Sequence, residues 1–196
     1  ENTYNFDIVI IATGGKGNGF ELAKSMGHNI IEPKPSLTAL DIKEKYLYKL
    51  SGLSIKNVEI KTIVGKKKYP EVYGDILFTH NSISGPAIFK VSSLTAFEDI
   101  NENNPANLFL KLADVSYEDI EHEIKANTKK TIKNVFSKFV SESYIIEILK
   151  ENNIDGNKQI SQINKKEKEI LINFILNLNI HVTGRIKGSE IVTAGG

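Results

Sequence analysis

Three hydrophobic patterns follow one another along the chain, and each predicts a different kind of element. Residues 8–11, Ile-Val-Ile-Ile, are continuously apolar and β-branched, the pattern of a strand buried on both faces of a parallel sheet. They run into Ala12-Thr13-Gly14-Gly15, and the far end repeats the arrangement as Val192-Thr193-Ala194-Gly195-Gly196. Small residues and paired glycines after a strand let its backbone approach a second backbone or a ligand closely. Such strands need neighbours, so both ends are expected to belong to a larger sheet. After the first of them, Phe20–Met26 reads as a short helix stopped by Gly27 at its C′ position. Pro33 and Pro35 mark the exit from this unit, because proline removes a donor and pushes the preceding residue to extended geometry.

From Ser36 to about Asp114 the period is mostly two. Leu53, Ile55, Val58, Ile60 and Ile63 make one strand, Val72–Thr79 a second and Leu108–Leu112 a third. Lys66-Lys67-Lys68 falls between the first two, where a solvated hairpin tip is expected rather than a phosphate-binding patch. Ser84-Gly85-Pro86 opens a short helix, with Ser84 as its cap and Pro86 in its first turn. The acidic, Asn-rich span from Glu98 to Asn107 reads as a surface loop.

From Ser116 to Asn179 the period becomes helical. Ile120 and Ile124 share one face, Ile132, Val135, Phe136 and Phe139 a second, and Tyr144, Ile145, Ile148 and Leu149 a third. Ile170, Leu171, Phe174, Ile175 and Leu178 line a fourth. Ser116 with Asp119, and Asn164 with Glu167, have capping-box spacing. Strand patterns return at Ile180–Lys187 and Glu190–Ala194. The order is an αβ fragment, a β segment, four helices and a β return, an α+β organisation.

Composition adds mainly exclusions. At 196 residues, 40% apolar and 25% charged, the chain has ordinary globular composition. Its formal charge of +1 creates no field that implies nucleic acid or an anionic membrane as a partner, so neither is expected. The absence of cysteine rules out thiol catalysis, disulfides and thiolate metal sites. The longest weakly charged stretch, residues 170–184, is shorter than the roughly 20 apolar residues a membrane span needs.

Two clusters could carry chemistry. Gly14-Gly15-Lys16-Gly17-Asn18-Gly19 follows a strand, but its spacing departs from the G-x-G-x-x-G dinucleotide fingerprint. It is either a tight turn or a place where backbone N–H groups approach a flavin or its pyrophosphate. In Thr79-His80-Asn81-Ser82-Ile83-Ser84-Gly85-Pro86, a hydroxyl, an imidazole and a helix start converge, and His80 is the one side chain nominated as a proton donor or acceptor. Its plainer reading is a strand end and a capped helix. His28, His122 and His181 have no metal-ligand spacing, so no metal is assigned. Nothing resembles a Ser/His/Asp or paired-carboxylate arrangement, and hydrolase chemistry has no support.

Taken in order, Ile10–Lys16, Gly19–Lys24 with Gly27-His28, Pro35–Leu40, Gly52–Val58, Thr79-His80 with Ser84–Ile88, and Val192–Gly196 resemble the YhiN-type family of bacterial flavoproteins, NAD(P)/FAD-dependent oxidoreductases. The resemblance spans nearly the whole chain. It implies a β-barrel-like subdomain over 35–115, an all-helical subdomain over 116–179, and flanks at 1–34 and 180–196 that are fragments of an FAD-binding α/β domain. The chain is then expected to be the insert of a cytoplasmic FAD-dependent enzyme. That parent would transfer hydride between flavin and a small organic substrate or NAD(P)H, and the chain alone would be inactive. Ala12, Thr13, Gly14 and Gly15, with Thr193, Ala194, Gly195 and Gly196, would contact FAD, while Thr79, Ser84, Gly85 and Pro86 would face the substrate cleft with His80. The expected partners are the remainder of the FAD-binding domain and the substrate. Between Gly15 and Gly19 this chain has a shorter loop than that family, and Asn81-Ser82 replace its usual aromatic and glycine. A second class remains open: a non-enzymatic RNA- or protein-binding module built on a translation-factor-like barrel.

Overall fold

The computed structural model of the chain describes residues 4–14, 17–189 and 191–195. A closed antiparallel barrel of six staves occupies its middle. The staves are β2 (Leu40–Ile42), β3 (Ser54–Val64), β5 (Val72–Phe78), β6 (Ile83–Ser84), β7 (Ala106–Lys111) and β8 (Leu178–Arg185). Around the ring they run β3, β5, β6, β2, β8, β7, and β7 pairs with β3 to close it. A two-residue strand β4 (Lys67–Lys68) folds back on β3, so Lys66 does sit at a hairpin tip. The alternation read in the sequence is what builds the barrel interior. In β7, Ala106, Leu108 and Leu110 are buried while Asn107, Phe109 and Lys111 are half-buried on the outside. Leu108 lies opposite Thr62 on one side and Ile180 on the other.

Helix α2 (Pro86–Leu94) packs against β5, β6 and β3, burying Ala87, Ile88 and Val91. Its cap is Gly85, not Ser84: Ser84 is consumed by the β5–β6 ladder opposite Leu77, and no side chain caps the helix. Gly85 sits at φ +103°, ψ 167°, and a Cβ there would fall 2.8 Å from the Asp75 carbonyl oxygen. That backbone region is close to exclusive to glycine. Gly85→Ala is expected to cost about 1–3 kcal/mol, and an unchanged urea midpoint would refute this.

The helical part comprises α3 (Tyr117–Ala126), α4 (Ile132–Phe136), α5 (Glu142–Glu151) and α6 (Lys165–Leu176). Both predicted capping boxes form. The Ser116 hydroxyl accepts from the Asp119 N–H while Asp119 accepts from the Ser116 N–H, and Asn164 and Glu167 reciprocate in the same way. α6 packs on β7 and β8, and α5 packs on a 3-10 helix at Lys45–Leu50, so helices and barrel share one continuous apolar core. Two polar ties cross it: Tyr144 donates to the Phe174 carbonyl at 2.7 Å, and the Leu112 N–H to that of Ile175 at 2.8 Å.

The last segment divides in two. The strand expected over 180–187 is β8, Leu178–Arg185, which completes the barrel. Beyond it, β9 (Val192–Ala194) leaves the barrel and pairs antiparallel with β1 (Lys34–Ser36). At the other end, residues 4–14 form no strand. Ile8, Val9 and Ile10 are 80%, 67% and 85% exposed, because no neighbouring strand among the described residues offers them a ladder or a cover. Among the described residues, no helix is long and apolar enough to cross a membrane.

Several surface carboxyls are held below their ordinary values. The Ser116 backbone and hydroxyl do this to Asp119, Lys67 and Tyr69 to Glu98, and Lys168 to Glu121. Each binds its proton more weakly folded than unfolded. The stabilisation is therefore complete above the ordinary values of 3.8 for Asp and 4.5 for Glu, and is lost as pH falls through the depressed ones. Urea midpoints are expected to be flat from neutrality to about pH 5 and to fall below about pH 4. A midpoint that rises on acidification would contradict this.

Candidate functional site

The C-terminal strand β9 (Val192–Ala194) meets the segment that follows the first helix. Helix α1 (Gly19–Ser25) and the segment after it form a wall shared by two open clefts. One, of about 810 Å³, is lined by Val9, Ile11, Ala12, Thr13 and Gly14 on its far side. The other, of about 790 Å³, is lined by Asn18, Glu21, Lys24, Glu32 and, from the opposite end of the chain, Thr193. Phe20, His28, Asn29 and Ile30 line both. Volumes of this order suit a small-molecule ligand.

The β1–β9 ladder produces this meeting. Thr193 lies opposite Pro35 and Ala194 opposite Lys34. Gly195 then passes close beneath the chain at φ +103°, where a Cβ would come within 2.9 Å of the Ile31 carbonyl oxygen and 3.0 Å of that of Glu32. Here Gly195 serves backbone-to-backbone approach. Gly15 and Gly196 lie outside the described residues.

Ala12, Thr13 and Gly14 are thus brought to one side of the shared wall and Thr193 to the other. The second predicted cluster is elsewhere. Thr79, His80, Ser84, Gly85 and Pro86 are absent from the lining of both clefts. The Thr79 hydroxyl closes the turn on itself, 2.6 Å from the Ser82 hydroxyl and 3.0 Å from the Ser82 carbonyl. His80 is exposed at the tip of this turn. His28, Asn29 and Phe20, which sequence reasoning passed over, occupy the wall instead. The available signal was position, since Phe20 lies in the first turn of a helix that comes after the small-residue segment 12–14, and His28 and Asn29 follow that helix.

A flavin is the group that the sequence resemblance implies, and part of this surface fits one. Nothing lies within 4 Å of the place a Cβ would take on Gly14, and with Ala12, Val9 and Ile11 it gives a small, apolar lip beside an open cleft. The charged side of a dinucleotide finds less. α1 has only seven residues, and no glycine turn with the fingerprint spacing precedes it. The described residues therefore suit one wall of a flavin site, without its pyrophosphate cradle.

A six-stave antiparallel barrel that shares its core with a four-helix unit, its ends clasped by a two-stranded ladder, defines a barrel-plus-helical domain class. Residues 34–189 match the family described as HI0933-like protein barrel and H2TH domain, and the chain belongs to that family. It is similar to the ribosomal RNA dihydrouridine synthase of Haemophilus influenzae (strain ATCC 51907 / DSM 11121 / KW20 / Rd), 29% identical over 177 residues that cover 85% of this chain and 41% of that protein. The ribosomal RNA dihydrouridine synthase of Escherichia coli (strain K12) is 22% identical over 93% of this chain and 46% of its own length. A 3-dehydro-bile acid delta(4,6)-reductase of Clostridium scindens is 32% identical over 44% of this chain and 23% of its own. The chain spans less than half the length of each of these relatives.

Proposed function

We propose that this chain is the barrel-and-helix portion of a YhiN-type flavoprotein reductase whose flavin-binding domain is continuous with the chain's two ends. The reaction read here is reduction of a carbon–carbon double bond conjugated to a carbonyl, within a uridine of RNA. The observation that carries this is the family match over residues 34–189 together with the names of the relatives. Dihydrouridine differs from uridine by two hydrogens across the ring double bond, which is conjugated to a ring carbonyl. A 3-dehydro-bile acid with 4,6 unsaturation also presents double bonds in conjugation with a ketone. Hydride adds to the electron-poor alkene carbon, and a proton completes the neighbouring carbon. RNA is favoured over a steroid because the two RNA-directed relatives match 85% and 93% of this chain and the bile acid enzyme 44%.

The uncovered apolar segment and the β1–β9 ladder support the same reading. Ile8, Val9 and Ile10 have the composition of a buried strand and stand exposed, as expected of a strand whose sheet lies in an adjoining domain. Bound FAD would supply the hydride, and NAD(P)H would replenish it. The chain's own share is to hold the clefts on either side of the shared wall, one lined by Ala12–Gly14 and the other by Thr193, and to provide a proton. Two histidines are candidates for that proton: His28, which lines both clefts, and His80, which lies outside them at the exposed turn after β5 and would reach a substrate only across that surface.

The test uses the intact protein that contains this chain. It is expected to purify yellow, to be bleached anaerobically by NAD(P)H, and to add two hydrogens per target uridine in ribosomal RNA from a strain lacking the gene, read by mass spectrometry. A colourless protein that takes up no FAD would overturn the proposal. His28→Asn and His80→Asn compared in the same assay identify the proton donor by which one lowers kcat.

A further inference from the structure

The net charge of +1 hides an uneven distribution. Residues 124–141 contain Lys125, Lys129, Lys130, Lys133 and Lys138 and no carboxylate, and residues 156–166 contain Lys158, Lys165 and Lys166 and again none. The fold lays these two acid-free stretches side by side. The Ile132 N–H donates to the Lys158 carbonyl at 2.9 Å, the Ile160 N–H to that of Lys130 at 2.8 Å, and the Lys133 N–H to that of Gly156 at 3.0 Å. Thr131 faces Gln159 across this bridge, and the Ser161 N–H reaches the Thr128 carbonyl at 3.3 Å. The result is a ledge of eight lysines interleaved with amides and hydroxyls.

Its outer lysines are neutralised from the borders. Lys133 meets Glu142 at 2.8 Å, Lys158 meets Glu167 at 3.5 Å, Lys125 meets Glu121 at 3.9 Å, and Lys138 pairs with Glu123. The centre is left positive. Lys129 and Lys130 are both exposed and have no ion pair among the described residues, and the same holds for Lys165 and Lys166 in the first turn of α6. That turn is held beside the ledge by the Lys158–Glu167 contact.

We propose that this ledge docks the phosphate backbone of an RNA strand, an inference that rests on the RNA reading of the function given above and assigns it a surface. Lysines in the centre would displace condensed counterions from the strand. Thr128, Thr131 and Gln159 offer hydrogen-bonding groups to phosphate and ribose, the contacts that position a nucleic acid without reading its bases. The exposed side chains of 127–131 and 157–162 are all polar, with Ile160 buried, so the ledge has no apolar wedge for a lipid headgroup region and no aromatic for base stacking. Its role is to hold the strand in register while the base is chosen elsewhere.

The double substitution Lys129→Glu/Lys130→Glu in the intact protein tests this, read by fluorescence anisotropy with a labelled ribosomal RNA fragment over a series of salt concentrations. Affinity is expected to fall about tenfold or more, and the slope of log K against log salt to shrink by about 1.4, the share of two phosphates on single-stranded RNA. Both side chains are exposed, so the thermal midpoint is expected to stay where it is. Lys66→Glu/Lys68→Glu at the hairpin tip makes the same charge change away from the ledge and is expected to leave affinity unchanged. Wild-type affinity and slope in the ledge variant would overturn the inference, as would equal losses from both variants. Binding of the wild-type protein to phosphatidylserine vesicles but not to RNA would also overturn it. A protein that binds RNA through Lys129 and Lys130 yet takes up no flavin would overturn the reductase reading and keep the ledge, whereas a flavin reductase without RNA affinity would do the reverse.

Discussion

Phe136→Ala is expected to lower the free energy of unfolding by about 3–5 kcal/mol, the usual range for removing a fully buried phenyl ring from a core that cannot close over the space. The residue sits in α4, a helix of five residues that is far too short to be stable by itself. What holds it is burial. Ile132, Val135 and Phe136 are each 0% exposed and join the core shared by helices and barrel. A thermal midpoint lower by on the order of 10 °C follows for a domain of this size. The same segment begins with the lysine ledge, whose backbone bonds to 156–161 start at Thr128, four residues before α4, and end at Lys133 within it. On the proposed RNA reading, loosening α4 weakens RNA binding beyond what charge alone explains, and Phe136→Leu restores most of both. An alanine variant as stable as the wild type would show that this helix is not an anchor of the helical part.

How far such features could be read from the sequence depended on the range of the interaction that fixes them. The capping boxes at Ser116/Asp119 and Asn164/Glu167 involve groups three residues apart, and both form as read. Strands β3, β5 and β7 carry their own alternation and were equally legible. β2 and β6, of three and two residues, show no period of their own, and they exist because long-range partners complete them. Ser84 was misread as a cap for the same reason: a partner at Leu77 claims its backbone, and the cap position passes to Gly85. The β-branched run at 8–11 failed in the opposite direction. Its composition specifies a buried strand, and among the described residues nothing buries it.

Site residues followed the same logic. That Ala12–Gly14 and Thr193 line clefts on opposite sides of one wall depends on the β1–β9 ladder across more than a hundred residues, which no local pattern carries. Gly27-His28 belongs to the pattern of the resemblance but carries no site signal, Asn29 has no motif, and only the fold around α1 puts His28 and Asn29 on the shared wall. The lysine ledge was hidden by averaging. Lys165, Lys166 and Lys168 look like a solvated helix face beside Glu167 and Glu169, and the acid-free neighbours that change the local sum arrive from thirty residues upstream.

Arg185→Met is expected to cost about 1–3 kcal/mol, which is the loss from leaving the carbonyl of the buried Thr95, and that of the half-buried Glu98, without their charged donor. The guanidinium of Arg185, at the end of β8, donates to the carbonyls of Thr95 and Glu98, just beyond the last residue of α2. A cation at that position also complements the negative end of the helix. Burial lowers the guanidinium pKa and the nearby Glu98 carboxylate opposes it, yet arginine remains charged at any working pH. Methionine keeps the aliphatic stem and removes only the charge and the donors, so a loss in urea stability isolates the polar tie. Lysine, a single point donor in place of a planar fork, should recover part of it. The tie has a consequence for the site as well. Arg185 is the last barrel residue before the chain turns towards β9, and β9 carries Thr193 to the shared wall. On the proposed flavoprotein reading, Arg185→Met in the intact protein weakens flavin retention in proportion to its effect on stability. A variant that melts like the wild type would mean that α2 and β8 are fixed to each other by packing alone.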